Sequence, residues 1–191
     1  MRFFLYSLLV FTTSIAYADN KITATYDAKC DEKNELFFKR NNLLISNRYK
    51  VVSTVQLDKS RYAYILDRNF SQRKSKECQY SDPTIHNYIF VITDNKTQPI
   101  VNRKLLSNLD YLSDISMKKD VKGFSISLIY GQTLSTEAIM KFDSFTNNEI
   151  FLREIISQKV VPDGVNSKKA SQKLPFEKQY ELSNVELSNF L

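Results

Sequence analysis

Tryptophan is absent from the chain, histidine occurs once, cysteine twice and glycine three times in 191 residues. Each shortage removes a class of chemistry. Three glycines are too few for the usual Gly-rich loops that cradle phosphates. One histidine and two cysteines cannot complete a Cys/His structural zinc site within one chain. A serine-type triad would have a single base to draw on, His86, and no G-x-S-x-G nucleophile motif accompanies it. The cysteines, Cys30 and Cys78, lack C-x-x-C spacing, so dithiol redox catalysis is not expected. The carboxylate pairs, Asp31 with Glu32 and Asp110 with Asp114, read as charged turns rather than hydrolase dyads. The composition points away from enzymes and cofactors; no catalytic residue, cofactor or metal is expected.

What the chain does have is a core. Apolar residues make up 42% and charged residues 25%, which suits one packed domain. Basic residues outnumber acidic ones 27 to 21, a net charge of +6. The densest basic group is Arg68, Arg73, Lys74 and Lys76, followed by Lys118, Lys119 and Lys122. Both groups fall in expected turns, so solvated turns are favoured. An acidic partner is the functional alternative, and nucleic acid is not expected.

The N-terminus reads as a secretory leader. Arg2 precedes the apolar run Phe3-Phe4-Leu5-Tyr6-Ser7-Leu8-Leu9-Val10-Phe11, and Ala16-Tyr17-Ala18 supplies an A-x-A cleavage site. The run is too short to span a bilayer. Residues 1–18 are therefore expected to be removed, leaving a periplasmic protein that starts at Asp19 and has no membrane span. In an oxidising compartment Cys30 and Cys78 are expected to pair, closing a loop of about 49 residues worth roughly 4 kcal/mol.

The local patterning is all-β. Tyr62, Tyr64 and Leu66 alternate with Arg61, Ala63 and Ile65, which predicts a half-buried strand. The same alternation marks Phe124–Tyr130 and Ala138–Phe142. The run Tyr88-Ile89-Phe90-Val91-Ile92 is apolar on both faces, as in a central strand. Before residue 157 the one weak helical candidate is Leu105 to Leu112; beyond it, Tyr180 to Leu191 could form a short amphipathic helix or an extended peptide.

A strand, Asp-x-x-Thr turn, strand unit occurs at Ile89–Leu106 and again at Ile139–Ile156, with a looser echo from Ile22 to Arg40. A spacing near 50 residues suggests blades of a propeller-like array, the alternative being a sandwich or barrel. The 15 asparagines can serve turn positions with positive φ. The β domain is assigned to 19–156. Residues 157–191 are polar, with Pro162 and Pro175, and are assigned to an irregular C-terminal extension.

Ile115 to Ile156 reads as a four-stranded meander: strand, charged turn with Gly123, strand to Tyr130, a small polar loop, then Ala138-Ile139-Met140-Lys141-Phe142-Asp143 and its return strand. This layout resembles the periplasmic immunity proteins that protect bacteria from type VI secretion effectors, nearest to the immunity partners of peptidoglycan amidase effectors. The resemblance implies a small propeller-like β-fold whose loop plugs the active-site cleft of a toxic cell-wall hydrolase. The matching segment here is Tyr130, Gly131, Gln132, Thr133, Leu134, Ser135 and Thr136. Its hydroxyls can bond catalytic groups without offering a cleavable bond, and Leu134 can fill a small apolar pocket. The alternative function is another exported binding module, such as a lysozyme inhibitor or an envelope adaptor.

Overall fold

The computed structural model describes residues 20–69, 78, 88–94, 97–107, 111–131, 135–144, 149–160, 169–174 and 180–191. The expected leader, His86, and the basic residues Arg73, Lys74 and Lys76 lie outside them.

The described chain builds three sheets in chain order. β1 (Lys21–Ile22), β2 (Phe37–Arg40) and β3 (Leu43–Ser46) form a small sheet in the order β1-β3-β2. β4 (Tyr49–Gln56), β5 (Tyr62–Arg68), β6 (Ile89–Thr93) and β7 (Ile100–Asn102) form an antiparallel meander. β8 (Asp114–Lys119), β9 (Gly123–Tyr130), β10 (Ser135–Ser144), β11 (Ile150–Val160) and β12 (Lys169–Lys173) form a second, five-stranded meander. The all-β architecture read from the sequence is the one observed. No sheet among the described residues closes into a barrel.

The middle sheet is packed on both faces. Ala63, Ile65, Phe90 and Ile92 join Phe124, Ile126, Leu128, Met140 and Phe142 of the five-stranded sheet in the main core. On its opposite face, Tyr64, Leu66, Ile89 and Val91 join Ile22, Leu43 and Ile45 of the small sheet. Here the sequence expectation for β5 needs correction. Its alternation predicted one buried face, yet residues from Ala63 to Arg68 are all buried. The less apolar stripe, which includes the Tyr64 hydroxyl, is covered by the small sheet. Asn41 Nδ2 donates to that hydroxyl at 2.7 Å, so burial leaves it bonded. The β6 expectation holds, since all five of its residues are buried. In the five-stranded sheet the alternation is kept, with Phe124, Ile126 and Leu128 inside and Ser125 and Ser127 outside.

Three phenylalanines lock the two larger sheets together. Phe90 stacks on Phe124 with centroids 5.4 Å apart, and Phe124 stacks on Phe142 at 5.0 Å. Such pairs add about 0.5–1.5 kcal/mol each beyond area burial. At one side, Ser53 Oγ of β4 accepts from Met117 N of β8 at 3.0 Å.

The hairpins β6–β7 and β10–β11 correspond to the two strand–turn–strand units. The third echo does not: β1 pairs in parallel with β3, and β2 is that strand's other neighbour. The segment from Leu105 to Ser107 is no helix but part of a turn, in which Asn102 Oδ1 accepts from the N–H groups of Lys104 and Leu105, both at 2.7 Å. Asn41 and Gly123 carry special backbone demands. Asn41, in the β2–β3 turn, has φ 52, a value asparagine tolerates better than most residues. A Cβ on Gly123 would lie 2.2 Å from the Phe142 carbonyl oxygen, so only glycine lets β9 start this close to β10.

The boundary expected at residue 156 falls inside β11, which runs on to Val160 and pairs with β12. Further on, Leu182 N donates to Ile150 O, and Leu174, Leu182, Val185 and Leu187 are buried in the main core. The expectation of an irregular polar extension missed these four apolar residues, spaced among charged ones. They cover the open side of the stack, and the chain ends in a short 3-10 turn, Leu187–Asn189.

Candidate functional site

The β9–β10 hairpin carries the segment singled out from the sequence. Tyr130 and Thr136 are register partners at its neck. Burial raises the Tyr130 hydroxyl pKa, and a hydrogen bond with the Thr136 side chain opposes that rise. Tyr130 packs against the main core while remaining partly exposed. Gly131 has φ 106, a conformation that L side chains rarely adopt. Ser135 and Thr136, expected in the loop, are instead the half-buried first residues of β10, because the pairing of β10 with β9 and β11 extends past Ala138 to the neck of the hairpin. Gln132, Thr133 and Leu134 lie outside the described residues. Thus the arms are fixed by sheet pairing, β9 to β8 on one side and β10 to β11 on the other.

Cys30 and Cys78 are bonded, with Cα atoms 5.5 Å apart, as expected. Next to Cys30, Asp31 is 2% exposed and forms an ion pair with the buried Arg68. Arg48, also buried, lies 3.9 Å from Asp31 and 3.7 Å from Glu35, and its Nη2 donates to Glu32 O at 2.7 Å. Two sequence expectations change here. Arg68 belongs to a buried strand and not to a solvated turn, and Asp31 is an ion-pair partner rather than a surface turn residue. The signal was weak because pairing between residues this far apart leaves no local pattern. Arg48 was missed for the same reason.

This cluster underlies a cleft of about 390 Å³ lined by Tyr26, Tyr49, Arg68, Tyr88 and Arg103. Tyr88 is pushed up to about 12 by burial and by the nearby negative charges of Asp67 and Asp114. Asp114 opens β8, so the cleft and the β9–β10 loop share one end of the stack. Arg103 is exposed; its Nη1 donates to the Tyr49 hydroxyl at 3.2 Å and its Nη2 to Thr23 O at 3.4 Å.

At the opposite end, the β8–β9 turn presents Val121, 98% exposed, between Lys119 and Lys122. Lys118, Lys119 and Lys122 are exposed as expected, but only Lys122 lies in the turn: Lys118 and Lys119 are the last residues of β8, paired with Ser125 and Phe124. Asp58 in the neighbouring β4–β5 turn would be raised by burial, but N–H donors from Ser60 and Arg61 outweigh this and lower it to about 2. Arg61 Nη1 reaches Ser144 Oγ at 3.0 Å, tying the turns of the two larger sheets together.

Among the described residues, no three His, Cys, Asp or Glu side chains form a group able to hold a metal ion. None of the described helices is long and apolar enough to cross a membrane. In comparisons with known proteins, the chain matches no family, no curated protein and no solved structure.

Proposed function

We propose that the protein is a periplasmic immunity protein, a stoichiometric inhibitor that binds the active site of a cognate toxic effector, a cell-wall-degrading hydrolase. The observation that carries this reading is the frame behind the β9–β10 loop. An inhibitory loop must be held in one shape before it binds, because ordering it on binding costs affinity. Here the neck is Tyr130 against Thr136, the first loop residue is Gly131 at φ 106, and both arms are interior strands of a five-stranded sheet. The Cys30–Cys78 disulfide suits a protein that works outside the reducing cytoplasm.

In this reading Tyr130 is the interface anchor, Leu134 enters an apolar pocket, and Thr133, Ser135 and Thr136 offer hydroxyls to the effector's catalytic groups. The test is protection. Cells exporting a toxic hydrolase encoded beside this protein survive when the full-length chain is co-expressed, and die when residues 1–18 are deleted. Replacing Leu134 and Ser135 with glutamate abolishes protection while leaving the thermal melt unchanged. Survival that is indifferent to both changes overturns the loop assignment. Binding to a lysozyme or an envelope protein in place of the effector returns the alternative of another exported binding module.

A further inference from the structure

A second cleft, of about 490 Å³, lies beyond Arg103 on the side away from Tyr88. It runs between β1 and β7 and is bordered by the C-terminal segment. Lys21, Arg103 and Lys104 line it, together with the polar Thr23, Asn102, Ser183 and Asn184 and the apolar Ile22, Pro99 and Val101. None of the lining side chains is acidic. All three cations are solvent-exposed. Lys21 Nζ sits 3.8 Å from the centre of the Phe37 ring, and the Arg103 guanidinium donates to Tyr49 and Thr23, so the charged ends of two of the three are held in place.

The arrangement narrows the ligand. The cations come from β1 and from the chain just after β7, and the one deeply buried polar side chain on the walls, Asn102, commits its amide to Leu182 O, Val185 O, Lys104 N and Leu105 N. A single small anion asks for converging donors; spaced cations along a partly apolar trough match spaced carboxylates. We infer that this cleft binds an acidic, extended segment of a protein partner, with Arg103 taking one carboxylate side-on and Lys21 and Lys104 taking its neighbours. The net charge, +6 for the full sequence and +5 once Arg2 leaves with residues 1–18, adds long-range attraction for such a partner. The site is separate from the β9–β10 loop and stands whether or not that loop inhibits an effector.

The test uses the full mature chain and a capped, fluorescent hexaglutamate peptide, followed by anisotropy at low salt of about 20 mM, where exposed charges are little screened. Saturable binding is expected, weakened at least tenfold in the Lys21→Glu, Lys104→Glu double variant and in Arg103→Ala. The Lys118→Glu, Lys119→Glu variant, at the far end of the stack, keeps the parent affinity. Inorganic pyrophosphate and a short oligothymidine serve as competing probes. The proposal is overturned if hexaglutamate fails to bind, if the Lys21/Lys104 variant with an unchanged melt binds it as before, or if pyrophosphate or oligothymidine displaces it at lower concentration than free hexaglutamate does.

Discussion

The side-chain amide of Asn102 donates to the backbone carbonyls of both Leu182 and Val185, 80 and 83 residues further along the chain. Asn102 is 3% exposed, and its Oδ1 accepts two further N–H groups, from Lys104 and Leu105. One side chain therefore satisfies the turn after β7 and clamps the C-terminal segment over the core. Truncation leaves two carbonyls and two N–H groups without this partner, and each one that water does not reach costs about 1–3 kcal/mol. Asn102→Ala is expected to lower the urea unfolding free energy by about 3 kcal/mol. A loss below about 0.5 kcal/mol would show that water replaces the clamp at little cost.

The Cys30–Cys78 bond spans a sequence separation of 48. Its effect on the unfolded chain is worth roughly 4 kcal/mol. At about 2–4 °C per kcal/mol for a domain this size, reduction is expected to lower the melting temperature by about 8–16 °C. The Cys30→Ser, Cys78→Ser double variant should melt at the same lowered temperature and be indifferent to reductant. A melt that does not respond to reductant would mean that the bond constrains little of the unfolded ensemble.

The parts of this fold that were legible in the sequence are those set by short-range pattern. Period-two alternation gave β9 and β10, the apolar run gave β6, and the meander from Ile115 to Ile156 corresponds to β8 through β11. The parts that were not legible depend on what lies across space. Alternation in β5 could not reveal that a third sheet covers its second face. Leu182, Val185 and Leu187 are isolated among polar residues, and their burial follows from the gap that they fill beside Asn102. For the site, the disulfide and the position of the Tyr130–Thr136 hairpin could be read ahead. The ion pairs of Asp31 with Arg68 and Arg48, and the clefts on either side of Arg103, could not, because each joins residues from separate strands and turns.

The Asp31 carboxylate is the negative centre of a buried cluster with Arg68 and Arg48, whose side chains are each 7% exposed. Asp31 Oδ2 also accepts from Asp27 N at 2.8 Å, which fixes the turn that carries Cys30. Removing one partner of a buried ion pair strands the remaining charge, at about 3–5 kcal/mol. Asp31→Asn is isosteric and keeps an oxygen for the Asp27 N–H, so its cost isolates the charge. We expect a loss of about 3 kcal/mol or more in urea, compared with less than about 1 kcal/mol for Asp120→Asn on the exposed β8–β9 turn. Equal, small effects at the two sites would show that the arginines reach solvent when Asp31 is neutralised.

Tyr88 gives a pH signature in the cleft beside Arg103. Its folded pKa is raised from 10.0 to about 12, first by burial and then by Asp67 and Asp114. A tyrosine raised in this way stays protonated in the folded state while the unfolded chain has already released its proton. Its contribution is therefore complete below about pH 10 and is lost as the pH climbs toward about 12. Tyr88→Phe removes the ionisable group and keeps the ring. Across that window the parent should lose stability faster than the variant, although Tyr64 and Tyr130, also raised, lower both curves together. Thermal melts at about pH 8, 10 and 11.5 measure the difference, and tyrosinate absorbance near 295 nm counts the late-titrating rings. Parallel stability curves, with no late-titrating ring lost in Tyr88→Phe, would mean that Tyr88 ionises as a solvent-exposed tyrosine does and that the cleft admits water to its hydroxyl.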